Sequence, residues 1–193
     1  MKKKELVYRE ILFQAMEKKS KKMTQSGIAK ALGISLSTVN NALAPLRSMG
    51  AVTIGLRGFE ASDCKKMIYY WASIRNIQKD IIYSTRAENP VRQIESEMPD
   101  SIVFAAYSAY KLRFNDSPAD YSEVYVYGES AIERLNQSKK TPNVFVLKED
   151  PLMQRYGKTG TLAQIFVDLW NLKEWYAKEF LNAMEERINA ILE

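Results

Sequence analysis

The stretch from Thr24 to Glu60, TQSGIAKALGISLSTVNNALAPLRSMGAVTIGLRGFE, constrains the fold more than any other part of the chain. Its apolar residues fall into two short helical periods separated by a glycine. Ile28, Ala29 and Leu32 make the first, and Leu36, Val39, Leu43 and Leu46 the second. Gly33 stands where the first helix must stop and the chain turn sharply, a place that suits a positive φ. Thr24 is placed to cap the first helix, and Ser35 or Ser37 the second, because a hydroxyl there accepts an amide hydrogen bond that the helix leaves unmade. Pro45 lacks a backbone donor and is expected to bend or loosen the last turn of the second helix. After Gly50 the β-rich Ala51-Val52-Thr53-Ile54 leads into Gly55-Leu56-Arg57-Gly58, which reads as a small hairpin.

Helix, tight turn, helix and hairpin in this order is the pattern of a winged helix-turn-helix. With the leucines turned inward, the second helix presents Ser37, Thr38, Asn40, Asn41 and Arg47 outward. Short polar side chains of this kind hydrogen-bond base edges, and basic groups around them meet phosphate. The candidate DNA-binding residues are Lys30, Ser35, Ser37, Thr38, Asn40, Asn41, Arg47 and Arg57. A plain helical hairpin with polar solvent faces is the competing reading, and charge weighs against it. Residues 1–60 hold eight Lys and three Arg against four Glu, whereas the remainder holds 17 basic and 19 acidic groups. A basic module joined to a near-neutral one is the electrostatic footprint of nucleic-acid binding.

Composition removes several alternatives. The 193 residues contain no histidine, which excludes Ser-His-Asp and Cys-His catalysis and His-based zinc sites. The single Cys64 excludes an internal disulfide and fits a reducing compartment. No apolar run reaches membrane-spanning length, and MKKKELVYRE lacks the apolar core of a signal peptide, so a cytoplasmic protein is expected.

The periodicity predicts a helix over 5–19, followed by the basic KKSKKMT, and a further helix from Cys64 to about Ile77 capped at Ser62-Asp63. Met67, Ile68, Trp71 and Ile74 form the apolar stripe of that helix. Strands are expected at Ile81–Thr85, Glu123–Tyr127 and Val144–Leu147, with an apolar run at Ile102–Ala106. Between them come a short helix to Met98 with Pro90 at its first position, a helix over Ser108–Phe114, and a turn and helix over Gly128–Gln137. The end is helical. Leu162, Ile165, Phe166, Leu169 and Trp170 share one face, Asn171 interrupts, and Trp175 to Ile191 continue the apolar pattern. The chain is therefore an α+β protein. Residues 1–62 form the winged helix-turn-helix, 63–80 a linking helix, and 81–193 an α/β domain with C-terminal helices.

Three segments of the second half carry a family resemblance: Phe104-Ala-Ala-Tyr-Ser-Ala-Tyr110, Ala119-Asp-Tyr-Ser-Glu-Val-Tyr-Val-Tyr127 and Leu162-Ala-Gln-Ile-Phe-Val-Asp-Leu-Trp170. With the winged N-terminus they make the chain resemble AbiEi-type antitoxin transcriptional regulators and their archaeal relatives. Those proteins fuse a winged helix to a nucleotidyltransferase-like domain. Active nucleotidyltransferases place Gly-Ser at a helix start and an Asp-x-Asp pair on a strand, with a third carboxylate later, so that phosphate and Mg²⁺ are held together. Here Tyr107-Ser108 stands at the Gly-Ser position, Asp120 is followed by Ser122 with Glu123 out of phase, and Asp150 is the candidate third carboxylate. The resemblance thus implies a catalytically degenerate domain, with Ser108, Asp120 and Asp150 as remnants and no metal or cofactor. Loop and strand-end residues with local hydrogen bonds are the simpler account of Asp120 and Asp150. The expected function is a sequence-specific DNA-binding regulator, a repressor, whose second domain serves a protein partner such as a toxin, a ligand or self-association. The alternative is an active Mg²⁺-dependent nucleotidyltransferase targeted by its winged helix.

Overall fold

Helix α1 (Lys3–Leu12) is wrapped on nearly every side in the computed structural model, which describes residues 1–193. Val7, Tyr8, Ile11 and Leu12 are fully buried, as expected of an apolar stripe, but Glu5, Arg9 and Glu10 are buried too. A helix that buries charge as well as its stripe has neighbours on two sides. On one side lie α2 (Gln25–Leu32) and α3 (Leu36–Ser48); on the other lie α4 (Cys64–Ile74) and α7 (Leu162–Trp170). The helix predicted over 5–19 ends in one π-helical turn, Phe13–Glu17.

Strand β1 (Lys22–Met23), β2 (Val52–Gly55) and β3 (Gly58–Ala61) form a small antiparallel sheet in the order β1-β3-β2. The hairpin register pairs Gly55 with Gly58, which leaves Leu56 and Arg57 as a two-residue tip. Gly58 has no alternative: a Cβ there would meet the Met23 carbonyl oxygen at 2.2 Å. Helices α1 to α3 with this sheet are the N-terminal winged helix-turn-helix.

The second unit is built on a four-stranded sheet in the order β4-β7-β6-β5, with β4 (Ile81–Thr85), β5 (Val103–Ala105), β6 (Val124–Tyr127) and β7 (Val144–Leu147). Only β6 and β7 run parallel. All four residues of β6 are buried, so both faces of the sheet are covered. Alternation splits them. Val124 and Val126 join Ile94 of α5 (Val91–Ser96) in a small core, while Tyr125 and Tyr127 face α6 (Ala106–Phe114) and α7 in the large one. Helix α8 (Ala177–Leu192) closes that side through Phe180, Met184 and Ile188. The large core runs without interruption from Val7 to Ile188, so the winged unit and the α/β unit share one interior.

Several boundaries and orientations differ from the sequence reading. Helix α4 stops at Ile74 and a 3-10 turn follows at Ile77–Asp80. Pro90 caps α5 from outside rather than opening it, and α5 ends at Ser96. Residues Glu129–Arg134 form a 3-10 turn where a helix was expected. Trp170 is half-exposed and Trp175 is 79% exposed, so neither continues the buried face of the terminal helices. Trp175 lies in the connection after α7 has ended at Trp170, where helical periodicity no longer decides which way a side chain points. Leu36, expected to point inward, is 53% exposed. It is the first residue of α3, and that first turn stands clear of the core that Val39, Leu43 and Leu46 enter.

Candidate nucleic-acid interface

The turn between α2 and α3 is fixed by hydrogen bonds that the sequence specifies. Thr24 Oγ1 accepts from the Gly27 amide at 3.0 Å and starts α2. Gly33 takes φ +62° at its end. The Ile34 amide then donates to the Ala29 carbonyl at 3.1 Å and the Gly33 amide to the Lys30 carbonyl at 3.3 Å, the paired bonds of a Schellman motif. Ser35 Oγ accepts from the Thr38 amide at 3.2 Å and starts α3. It also shares hydrogen bonds with Ser37 Oγ at 3.0 Å and Thr38 Oγ1 at 2.8 Å. Ser35 is therefore a cap and an anchor, with its oxygen already committed to the protein.

Helical spacing places Ser37, Asn40, Asn41, Ala44 and Arg47 on one stripe of α3, opposite Val39, Leu43 and Leu46. All but Ala44 are exposed, and Ala44 is partly so. The stripe spans roughly 15 Å, about the length of helix that a major groove accepts. The side-chain amides of Asn40 and Asn41 make no hydrogen bond within the chain, leaving both donors and acceptors for a partner. Thr38 is half-buried and tied to Ser35, so it lies beside the stripe rather than on it. Lys30 lies exposed on α2 and Arg57 exposed at the wing tip. Pro45 leaves the Asn41 carbonyl without its intrahelical donor, yet α3 runs on to Ser48, and the Met49 amide donates to the Pro45 carbonyl at 3.1 Å. The sequence reading missed three exposed apolar groups: Leu36 in the first turn of α3, the fully exposed Leu56 at the wing tip, and Ile54 on β2. Periodicity gives no sign of the first. The second was legible as a leucine within the turn sequence Gly55-Leu56-Arg57-Gly58.

Charge around this face is sorted by orientation. Three of the four glutamates in residues 1–60 point away from it, into the junction with the second unit. Glu5 accepts from Trp71 Nε1 at 3.2 Å and faces Arg75 at 3.5 Å. Glu10 accepts from Tyr156 Oη at 2.6 Å and pairs with Arg155. Glu17 pairs with Arg113 and accepts from the Leu162 amide at 2.9 Å. Lys21, Lys22, Lys30, Arg47 and Arg57 are all exposed and enter no ion pair within the chain. The outward surface of the winged unit is thus more cationic than its composition.

The junction uses the buried charge of α1. Arg9 grips Asp150 with two parallel hydrogen bonds of 2.7 and 2.8 Å, and its guanidinium also lies 4.5 Å from the centre of the Tyr156 ring. Burial disfavours the Arg9 cation, but Asp150 more than compensates and holds its pKa above the ordinary value. From the second unit Arg155 also reaches the helix-turn-helix itself, donating to the Ala31 carbonyl in the last turn of α2 at 2.9 Å. A second buried cluster joins Arg75 to Asp168 at 3.4 Å and to Tyr127 Oη at 3.1 Å, while Tyr127 donates to Asp168 at 2.7 Å. Burial pushes the Asp168 carboxyl up despite Arg75.

The three remnant candidates of the second unit are not assembled into a site. Ser108 is fully buried within α6, Asp120 is exposed in the coil before β6, and Asp150 belongs to the Arg9 junction. The strand expected to set the phase of Asp120 and Glu123 begins only at Val124, so the argument from strand alternation does not apply to them. Burial, with Glu174 nearby, raises the Glu123 carboxyl above the usual range. One residue ahead of Tyr107, Ala106 turns β5 directly into α6 with φ +48°, a glycine-like conformation held by a buried alanine. No group of three or more Cys, Asp or Glu side chains is placed to hold a metal ion. No helix is long and apolar enough to cross a membrane.

A family model described as winged helix-turn-helix DNA-binding matches residues 9–53, from the middle of α1 into the first strand of the wing. No curated protein and no solved structure matches the chain.

Proposed function

We propose that the protein is a sequence-specific transcriptional regulator, a repressor, that reads DNA through α3 and holds phosphate through α2 and the wing. The observation that carries this reading is the stripe of Ser37, Asn40, Asn41 and Arg47 with unpaired cations on either side. Asn presents a donor and an acceptor in one plane, the arrangement that pairs with the adenine edge in the major groove. Leu36, exposed in the first turn, adds an apolar group suited to a thymine methyl.

The second unit then acts through binding. Its nucleotidyltransferase-like reading is supported by a mixed four-stranded sheet between helices, and its lack of catalysis by the commitment of Asp150 to Arg9. A toxin-like protein partner follows from the family resemblance alone. Mg²⁺-dependent nucleotide transfer that is lost in Asp120→Ala would overturn the non-catalytic reading.

The test of DNA reading is a salt series with the purified chain, comparing its own upstream duplex with a scrambled one. Preference for the upstream duplex with a steep salt slope is expected. Asn41→Ala should lower that preference by about 1–3 kcal/mol, whereas Arg57→Ala should weaken both duplexes about equally. If neither substitution changes DNA binding, α3 and the wing do not form the interface.

A further inference from the structure

The wing tip carries a side chain that the fold does not use. Leu56 is fully exposed and Ile54, two residues before it on β2, is also exposed. Two-residue hairpin tips favour Asn, Asp or Gly because their usual turn needs positive φ. Here neither Leu56 nor Arg57 has positive φ, so backbone geometry gives no reason for these residues. A leucine held in water at the end of a hairpin loses nothing on folding and gains nothing from it. Its surroundings point to one kind of surface. Arg57 is beside it, Lys22 lies on the neighbouring strand β1, and neither is paired within the chain. The pair directly behind the tip is Gly55 facing Gly58, so the hairpin has no side chains on its shoulders at that level. A slim tip ending in an apolar group and a guanidinium matches a minor groove about 6 Å wide, whose negative potential attracts arginine.

We propose that the wing tip is a wedge: Leu56 enters a base step from the minor groove, partly unstacks it and bends the duplex, while Arg57 holds the groove walls. This rests on the DNA-binding reading above and adds to it an active deformation of the DNA. Flexible pyrimidine–purine steps are the sites where such a wedge costs least, so Leu56 selects sequence by deformability at positions that α3 does not touch.

The experiment uses the full chain and its upstream duplex, labelled at both ends for energy transfer and carrying 2-aminopurine at successive A·T positions. Wild type should shorten the end-to-end distance and brighten 2-aminopurine at one step. Leu56→Ser, at a position with no contacts to lose, should bind about tenfold more weakly, without shortening or brightening. It should recover affinity on a duplex pre-bent by a mismatch at that step. Wild type that prefers its upstream duplex but leaves it straight and stacked overturns the wedge and leaves the regulator reading intact. Equal bending by wild type and Leu56→Ser also overturns it. No preference for the upstream duplex by either protein overturns both.

Discussion

The winged unit and the α/β unit use their basic side chains in opposite ways. Of the eleven Lys and Arg in residues 1–60, only Arg9 makes a salt bridge within the chain. Of the 17 in residues 61–193, ten do, among them Lys111 with Glu95 and Lys158 with Asp100. The exposed pairs, such as Lys158 with Asp100 and Lys140 with Glu88, add little stability. Their effect is to neutralise the surface they cover. The difference teaches that the basic character of the first sixty residues is a property of an outward surface, since three of their four acidic groups are turned inward to meet the second unit. One helix does both jobs: α1 supplies Glu5, Arg9 and Glu10 to the junction and its apolar stripe to the helix-turn-helix.

The largest expected effect comes from breaking that division at Arg9. Arg9→Met leaves Asp150 buried beside Gln164 and Met153 with no cation, and should cost about 3–5 kcal/mol in chemical denaturation. Arg9→Met combined with Asp150→Leu should recover most of the loss, because removing both charges removes the desolvation penalty with them. A double variant as unstable as the single one would show that the junction depends on shape, not on charge.

The two units also differ in how far the sequence discloses them. The turn between α2 and α3 was legible because every determinant is local: Thr24, Gly33 and Ser35 act within five residues of themselves. The strands of the second unit were legible from short apolar runs, clearest in β6 and β7, which lie inside the sheet with most of their residues buried. What no period or cap conveys is a contact across the chain. Arg9 and Asp150 are 141 residues apart, and Asp150 looks in sequence like any carboxylate after a strand. Leu36 failed for a different reason. Periodicity gives a direction around the helix axis, but whether a neighbour extends far enough to cover the first turn is decided by α1 and α2. The outward face of α3 was legible in Ser37, Asn40, Asn41 and Arg47, whereas Thr38, expected there too, is half-buried and bonded to Ser35.

A smaller effect separates the two sets of cations directly. Lys30→Ala should lower DNA affinity about eightfold at 0.1 M salt, since each phosphate contact contributes about 0.9 to the slope of log affinity against log salt. Lys158→Ala, whose ammonium already meets Asp100 at 2.6 Å, should leave both affinity and slope unchanged. Equal losses in the two variants would mean that DNA sees the net charge of the whole chain rather than the face of the winged unit.

The smallest effect distinguishes scaffold from reader within that face. Ser35→Ala removes the oxygen that holds the Thr38 amide and should destabilise the protein by about 1 kcal/mol, the usual size of a lost N-cap. Ser35→Asp keeps the cap, because a carboxylate accepts the same bond and suits the positive end of the helix. Stability in Ser35→Asp should therefore match wild type, while the added negative charge at the start of α3 repels the phosphates it faces and weakens DNA binding. Thermal melts and a binding series on the two variants read the two roles apart. If Ser35→Asp binds DNA as well as wild type, the first turn of α3 lies away from the backbone, and the groove must be met by the later part of the stripe, from Asn41 to Arg47.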